Sequence, residues 1–277
     1  MGLDLTFLNF WGLEFSTGPN FRNLDQFLTR GGPLMETPKG WSSDIELHNR
    51  PTARTRWRGG VSVNTDEANG RSLDVEAGIS FRPGSRWQLS INPSYLRQTD
   101  SQQYAGTLSG GRPETYGQRY IFSYIDRSTW STEFRLAYTI KPDINIDLYS
   151  EPFAASGRYY DLGELPAPRA RVRRLYGTDQ TTITVQPDGS RRVTDGGSTF
   201  TLRNSDFNVR SFRSNIVLKW EWRPGSTLYL VWQQDRRISE SVGERVGLGD
   251  MFRSLTAPGS NFLAVKMSFW LPVGAGL

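Results

Sequence analysis

From Phe207 to Pro272 the chain alternates apolar and polar residues with a period of two, and no other feature of the sequence limits the fold so tightly. Ile216, Leu218, Trp220 and Trp222 fall on one side of an extended segment, with Val217, Lys219 and Glu221 on the other. After Arg223-Pro224-Gly225-Ser226 the code resumes, with Leu228, Leu230 and Trp232 set against Thr227, Tyr229, Gln233 and Asp235. A third segment sets Leu263, Val265, Met267, Phe269 and Leu271 against Ala264, Lys266 and Ser268. A repeat of two is that of a β-strand. A Pro-Gly turn between two such runs makes them antiparallel neighbours.

The same code runs back to the N-terminus. Leu3 to Phe15 reads as a first strand, followed by a polar connection over 16–40. Further strands are predicted over 41–48, 57–63, 73–81 and 87–95, with a weaker one over 102–108. Others fall at 120–124, 134–140 and 144–151, with a short turn at 126–128. An irregular stretch, 158–206, holds a small hairpin of 182–186 and 191–194. Near-identical tetrapeptides, Arg82-Pro83-Gly84-Ser85 and Arg223-Pro224-Gly225-Ser226, are both predicted turns. The expected fold is therefore all-β: an antiparallel, up-and-down barrel of about twelve strands, forming one domain over 1–277.

Whether the apolar face meets a core or lipid is decided by three features. Apolar residues make up only 36% of the chain, so no run of about 20 can cross a membrane as a helix. A membrane barrel escapes that requirement, because only alternate residues of each strand touch lipid. The connections also sort by length. Tight ones (49–53, 82–86, 109–115, 141–143, 223–226) are placed at one end by strand alternation, and the long ones include 16–40, 158–206 and 239–260. Outer-membrane barrels show this asymmetry. Finally, the polar face carries both signs of charge: Asp74, Glu76, Arg119, Glu133, Arg135, Asp147, Glu151, Lys219, Glu221, Asp235 and Lys266. These are the predicted lumen-lining residues, expected to survive by cross-strand pairing and hydration. The spanning reading is thus a transmembrane barrel. The alternative is a soluble carbohydrate-binding β-sandwich, which the nine Trp and eleven Tyr also suit.

Leu148 to Tyr159, Gly117 to Thr129, the Arg30-Gly31-Gly32-Pro33 loop and the closing Asn208 to Gln234 phrase together resemble an uncharacterised family of bacterial outer-membrane proteins. In that family a β-barrel of unknown function follows a family 9 carbohydrate-binding module. The resemblance implies a barrel in a Gram-negative outer membrane and carries no catalytic residues. The family barrel is longer, which implies that 1–277 is either one barrel or the C-terminal part of a larger one. An exported protein needs a leader, and Met1 to Ser16 already alternates as a strand. The expectation is a mature form or the tail of a longer polypeptide.

Chemistry is sparsely encoded. There is no cysteine, and His48 is the one histidine, so no zinc signature can be built. The 239–250 loop lacks calcium-loop spacing. No metal or cofactor is expected. A hydrolase acting on lipid or glycan is the enzymatic alternative. A phospholipase-type barrel would recruit His48 with Ser42, Ser43 and Asn49, and a protease barrel the paired carboxylates Asp44, Glu46, Asp74 and Glu76. Arg169, Arg171, Arg173 and Arg174 form a run suited to clamping lipopolysaccharide phosphates. The net charge of +5 favours polyanions, but bases are dispersed among 28 acids, which argues against nucleic acid. Expected partners are outer-membrane lipid, lipopolysaccharide and the barrel-assembly machinery, which would read the aromatic-ended Ala264 to Leu271 strand. The function these features support is a passive pore or a membrane anchor.

Overall fold

A computed structural model describes residues 1–271, so Pro272, the last residue of the alternating C-terminal stretch, lies outside the described residues. Eleven strands run as an antiparallel meander in one sheet, each paired with its sequence neighbour. They are β1 (Gly2–Thr6), β2 (Gly12–Asn20), β3 (Gly40–His48), β4 (Thr55–Asp66), β5 (Arg71–Gly84), β6 (Trp87–Ser109), β7 (Gln118–Lys141), β8 (Ile144–Glu164), β9 (Phe207–Arg223), β10 (Ser226–Glu240) and β11 (Gly259–Ser268). The dipeptide Arg174–Leu175 adds a twelfth, minimal strand to the end of β8. Among the described residues the sheet is open: β1 pairs only with β2, and β11 only with β10.

Several boundaries depart from the sequence expectation, each for a local reason. The first predicted strand is a hairpin. Phe10 takes a positive φ of 64°, the Asn9 side chain accepts from the Trp11 amide, and Phe7 and Trp11 close the turn. Alternation hides this, because the hairpin pairs Leu3 with Phe15 and Leu5 with Leu13 on the same face. The two similar tetrapeptides also diverge. Pro224-Gly225 is a true two-residue turn, with Gly225 at φ 78° as a Pro-Gly type II turn requires. Arg82-Pro83 instead stays in β5, where a register shift after Phe81 moves the turn on to Ser85-Arg86.

The largest correction is at the centre. The weak strand 102–108 belongs to β6, and two bulges, between Asp100 and Gln103 and between Tyr104 and Gly106, carry the strand through. The turn expected at 126–128 is mid-strand in β7, where Asp126 pairs with Arg97 and Ser128 shares a hydroxyl hydrogen bond with Ser156. β8 likewise continues to Glu164. These strands have 23, 24 and 21 residues. At about 3.3 Å per residue the longest runs to about 80 Å, against the roughly 9–11 residues that cross a bilayer.

One end of the sheet holds only short turns: 7–11, 49–54, 85–86, 142–143 and 224–225. The other holds 21–39, 110–117, 165–206 and 241–258, together with the tight turn 67–70. Connection 109–115 therefore sits at the long-loop end, opposite to the expectation, because β6 and β7 are each one strand. The buried core is concentrated at this end. Ile121 and Phe122 are adjacent in β7 and point to opposite faces. Ile121 packs with Leu162, Tyr176, Val193 and Leu202, whereas Phe122 packs with Met35, Tyr120 and Leu165. Burying each such side chain stabilises by about 1.5–3 kcal/mol. The predicted small hairpin is present as Thr181–Val185 and Arg191–Asp195, and a third strand, Ser198–Leu202, completes a separate sheet. That sheet covers the Ile121 side of β7.

Candidate functional site

The two faces of the meander differ in chemistry. Register joins one face into an unbroken apolar belt: Leu3, Phe15, Ile45, Val61, Val75 and Tyr95 stand opposite one another in turn across β1 to β6. From Leu89 the belt continues through Leu136, Leu148, Ile216, Trp232 and Leu263 to β11. Among the described residues no second sheet covers it. Leu263 is 72% exposed and Leu271 79%. A soluble sandwich would bury such a face between two sheets, whereas here it stands exposed. Apolar patches beyond a few hundred Å² mark surfaces that meet a protein partner or a membrane.

Aromatic pairs bracket the belt. Trp87 stacks on Tyr138 with centroids 4.0 Å apart near the tight turns. Eight residues along the same two strands, Tyr95 meets Trp130 at 4.4 Å. Leu89, Leu136, Ile91 and Phe134 lie between them on the same face. The Trp11–Trp57 and Trp222–Phe269 edge contacts, at 4.9 and 5.4 Å, extend the tight-turn row.

All eleven predicted lumen residues share the parity of the opposite face, but they do not form the interleaved lattice expected. Acids gather at β1 to β5. Asp4, Glu14 and Glu46 stand directly opposite one another in one row, which continues through Gly60 to Glu76. The next row runs from Ser16 through Asp44 and Ser62 to Asp74. The six carboxylates line a groove of about 590 Å³. Among the described residues no Lys or Arg pairs with any of them; His48 comes within 3.8 Å of Glu14, and Ser16 donates to Asp44. Like charges opposite one another destabilise a sheet, so this groove holds its charge only in contact with water or cations.

The remaining strands carry mixed charge. Arg135 grips Glu133 through two hydrogen bonds of 2.9 and 3.0 Å. Tyr149 donates to Glu151, and Glu151, Arg213 and Asp235 are register neighbours on β8, β9 and β10. Lys219 and Lys266 flank Tyr229. Asp147 borders a second groove of about 410 Å³. Two residues leave the open face: Glu221 accepts from the Gly225 amide at a tight turn, and Arg119 is buried under the small sheet.

At the loop end Arg119 donates to Glu164 and Asp195, at 2.8 and 2.7 Å, and Arg174 joins both carboxylates. The Arg174 guanidinium holds the Asp195 carboxyl down at about 2, outweighing burial, with Arg119 adding to the effect. Burial and the neighbouring Glu164 push the Tyr176 hydroxyl up. Arg171 reaches Glu67 and Glu36, and Arg173 lies 4.2 Å over the Tyr124 ring with its Nε on the Asp161 carbonyl. Three of the four arginines in the run are thus engaged inside the protein, and Arg169 alone is exposed without an ion pair among the described residues. The Arg30–Pro33 loop is likewise a packing device. Arg30 covers the Tyr104 ring at 4.6 Å, Gly31 takes φ 101°, a Cβ on Gly32 would overlap Tyr120, and the Pro33 carbonyl accepts from Thr29.

Among the described residues His48 is not joined to Ser42 or Ser43 as a dyad. His48 ends β3 and bonds the Asn49 carbonyl, whereas Ser42 and Ser43 lie at the far end of the strand and Ser43 shares a hydrogen bond with Thr17. Sequence reasoning had not joined Asp4 and Glu14 to the later acids; their parity with Asp44 and Glu46 was the available signal.

This arrangement defines a two-faced antiparallel meander, apolar on one surface and charged on the other, with acids concentrated on β1 to β5. The family model described as "Domain of unknown function (DUF5916)" matches residues 3–274, and the chain belongs to that family. No curated protein matches. A solved chain titled "Copper transporter OprC" is similar at a TM-score of 0.37 and 10% identity, covering 93% of this chain and 37% of that one. The chain spans little more than a third of that protein's length.

Proposed function

We propose that the chain forms the wall of a barrel in a bacterial outer membrane, acting as a passive pore or a membrane anchor with a charged lumen. The observation that carries this reading is the exposed apolar belt bracketed by aromatic pairs, backed by a face of opposite character. Lipid cannot hydrogen-bond a free strand edge. The unpaired edges of β1 and β11 would therefore be joined in the bilayer, to each other or to further strands. The Asp4–Glu76 and Asp44–Asp74 rows would then line part of a lumen and favour cations. The long loops would lie outside, where Arg169 is the remaining candidate for a lipopolysaccharide phosphate, and the C-terminal strand would be read by the assembly machinery. As an anchor, such a barrel would hold a sugar-binding module of the kind its family resemblance implies at the cell surface.

Planar-bilayer conductance of the detergent-refolded chain tests this. Stable single-channel steps with cation preference, weakened in an Asp74→Asn/Glu76→Gln variant, support the pore. A folded, inserted protein without conductance leaves the anchor. A chain that folds only without detergent or lipid overturns both.

A further inference from the structure

The connection from β10 to β11 forms a strap across the belt face. One helical turn, α1 (Leu248–Arg253), runs into a 3₁₀ turn, Ser254–Thr256. Its inner residues are buried: Val246 and Met251 form a cluster with Ala154, packed against Trp130. The Thr132 hydroxyl donates to the Met251 sulfur at 3.4 Å, and the Val246 amide donates to Ser128 at 3.0 Å. Ser128, Trp130 and Thr132 alternate on the same side of β7 as Phe134 and Leu136, so the strap lies on the belt's own face, where the belt ends.

The strap's other side is apolar too. Leu248, Phe252 and Leu255 are 47%, 54% and 41% exposed and follow the i, i+4, i+7 spacing of one stripe. A connection between two strands gains nothing in water by presenting three large apolar side chains. Arg245, three residues before Leu248, is exposed, and Arg253 is exposed while reaching Asp250 at 3.3 Å.

We infer that the 245–256 strap is a lipid-interface element: Leu248, Phe252 and Leu255 dip into the boundary of the loop-side leaflet at the level of Trp130. This rests on the membrane reading above. Short amphipathic helices lie in the plane of that boundary, apolar side down, with arginines reaching the phosphates. Continuity with the belt argues for lipid over a second copy of the chain, since the stripe extends a surface that already requires an apolar phase.

Because the chain has no cysteine, one thiol can be placed at will. Phe252→Cys, Leu263→Cys and Val185→Cys are each labelled with an environment-sensitive fluorophore. Each full-length variant is reconstituted in phosphatidylcholine vesicles doped with lipid spin-labelled at the headgroup or at mid-chain. The label at 252 is expected to lose fluorescence to the headgroup spin label, the label at 263 to lose it to acyl-chain spin label, and the label at 185 to keep it with both. Should 252 behave like 185 while 263 is quenched, the inference fails and the membrane reading stands. Should 263 also go unquenched, the membrane reading falls and takes the inference with it. A label at 252 that is shielded from aqueous iodide yet untouched by either spin label would point to a protein partner and overturn the lipid assignment.

Discussion

Trp130 faces Tyr95 across β6 and β7 with ring centroids 4.4 Å apart, and the Trp87–Tyr138 pair repeats that contact eight residues away on the same strands. Eight residues span about 26 Å along a strand, close to the roughly 25 Å apolar band of a membrane barrel before tilt is considered. Ile91 lies midway. Ile91→Arg should destabilise the lipid-embedded protein by about 2–4 kcal/mol, whereas Ser90→Arg, on the charged face, should stay within about 1 kcal/mol. Urea unfolding in vesicles reads the difference, and equal costs would show that the faces are wrongly assigned.

The loop-end network should be acid-sensitive. Asp195 is held at about 2 by Arg174 and Arg119, below its ordinary 3.8, and Glu67 is held at about 2 chiefly by Arg22. A carboxylate depressed by folding contributes fully above its unfolded pKa and loses that contribution as pH falls through the folded value. Pepsin cleavage within 165–206 should therefore rise as pH drops from about 4 to about 2. Asp195→Asn should be cleaved readily even at the upper limit. A flat profile, after correction with an unstructured substrate, would refute the network's role.

Gly32 has no room for a side chain beside Tyr120. Gly32→Ala should cost about 1–3 kcal/mol through overpacking, seen as faster exchange of amides in 28–36 with the sheet unaffected. Unchanged exchange there would mean the loop yields freely.

Glu14 and Glu46 stand directly opposite each other, and among the described residues no cation pairs with either carboxylate apart from His48 at 3.8 Å from Glu14. Glu46→Gln should raise stability by up to about 1 kcal/mol, more at low salt than at high. Lost stability would indicate that the row is internally satisfied.

Parity was readable wherever a face meets one environment along its whole length. That is why Leu73 to Phe81 and Ile216 to Trp222 emerged as strands, and why eleven charged residues could be assigned to one side. It failed at Asp126 to Ser128 because Asp126 is held by Arg97 and Ser128 is covered by the 245–256 strap, so polar residues inside a strand read like a turn. The acidic rows were hidden for another reason. Parity places Glu46 on a face, but only register places it between Glu14 and Gly60. The partners of the arginine run were not legible either, because guanidiniums close in sequence reach carboxylates and a tyrosine ring supplied by five different segments, carrying Glu36, Glu67, Tyr124, Glu164 and Asp195.

The length of β7 has one more consequence. Ile121, which holds the 181–202 sheet, stands nine residues beyond Trp130, or about 30 Å along the strand. The sheet is therefore raised on a stalk made from the same strands that carry the belt. Height above the belt is set by strand length rather than by loop length, so the 181–202 sheet stands well clear of the plane marked by Trp130.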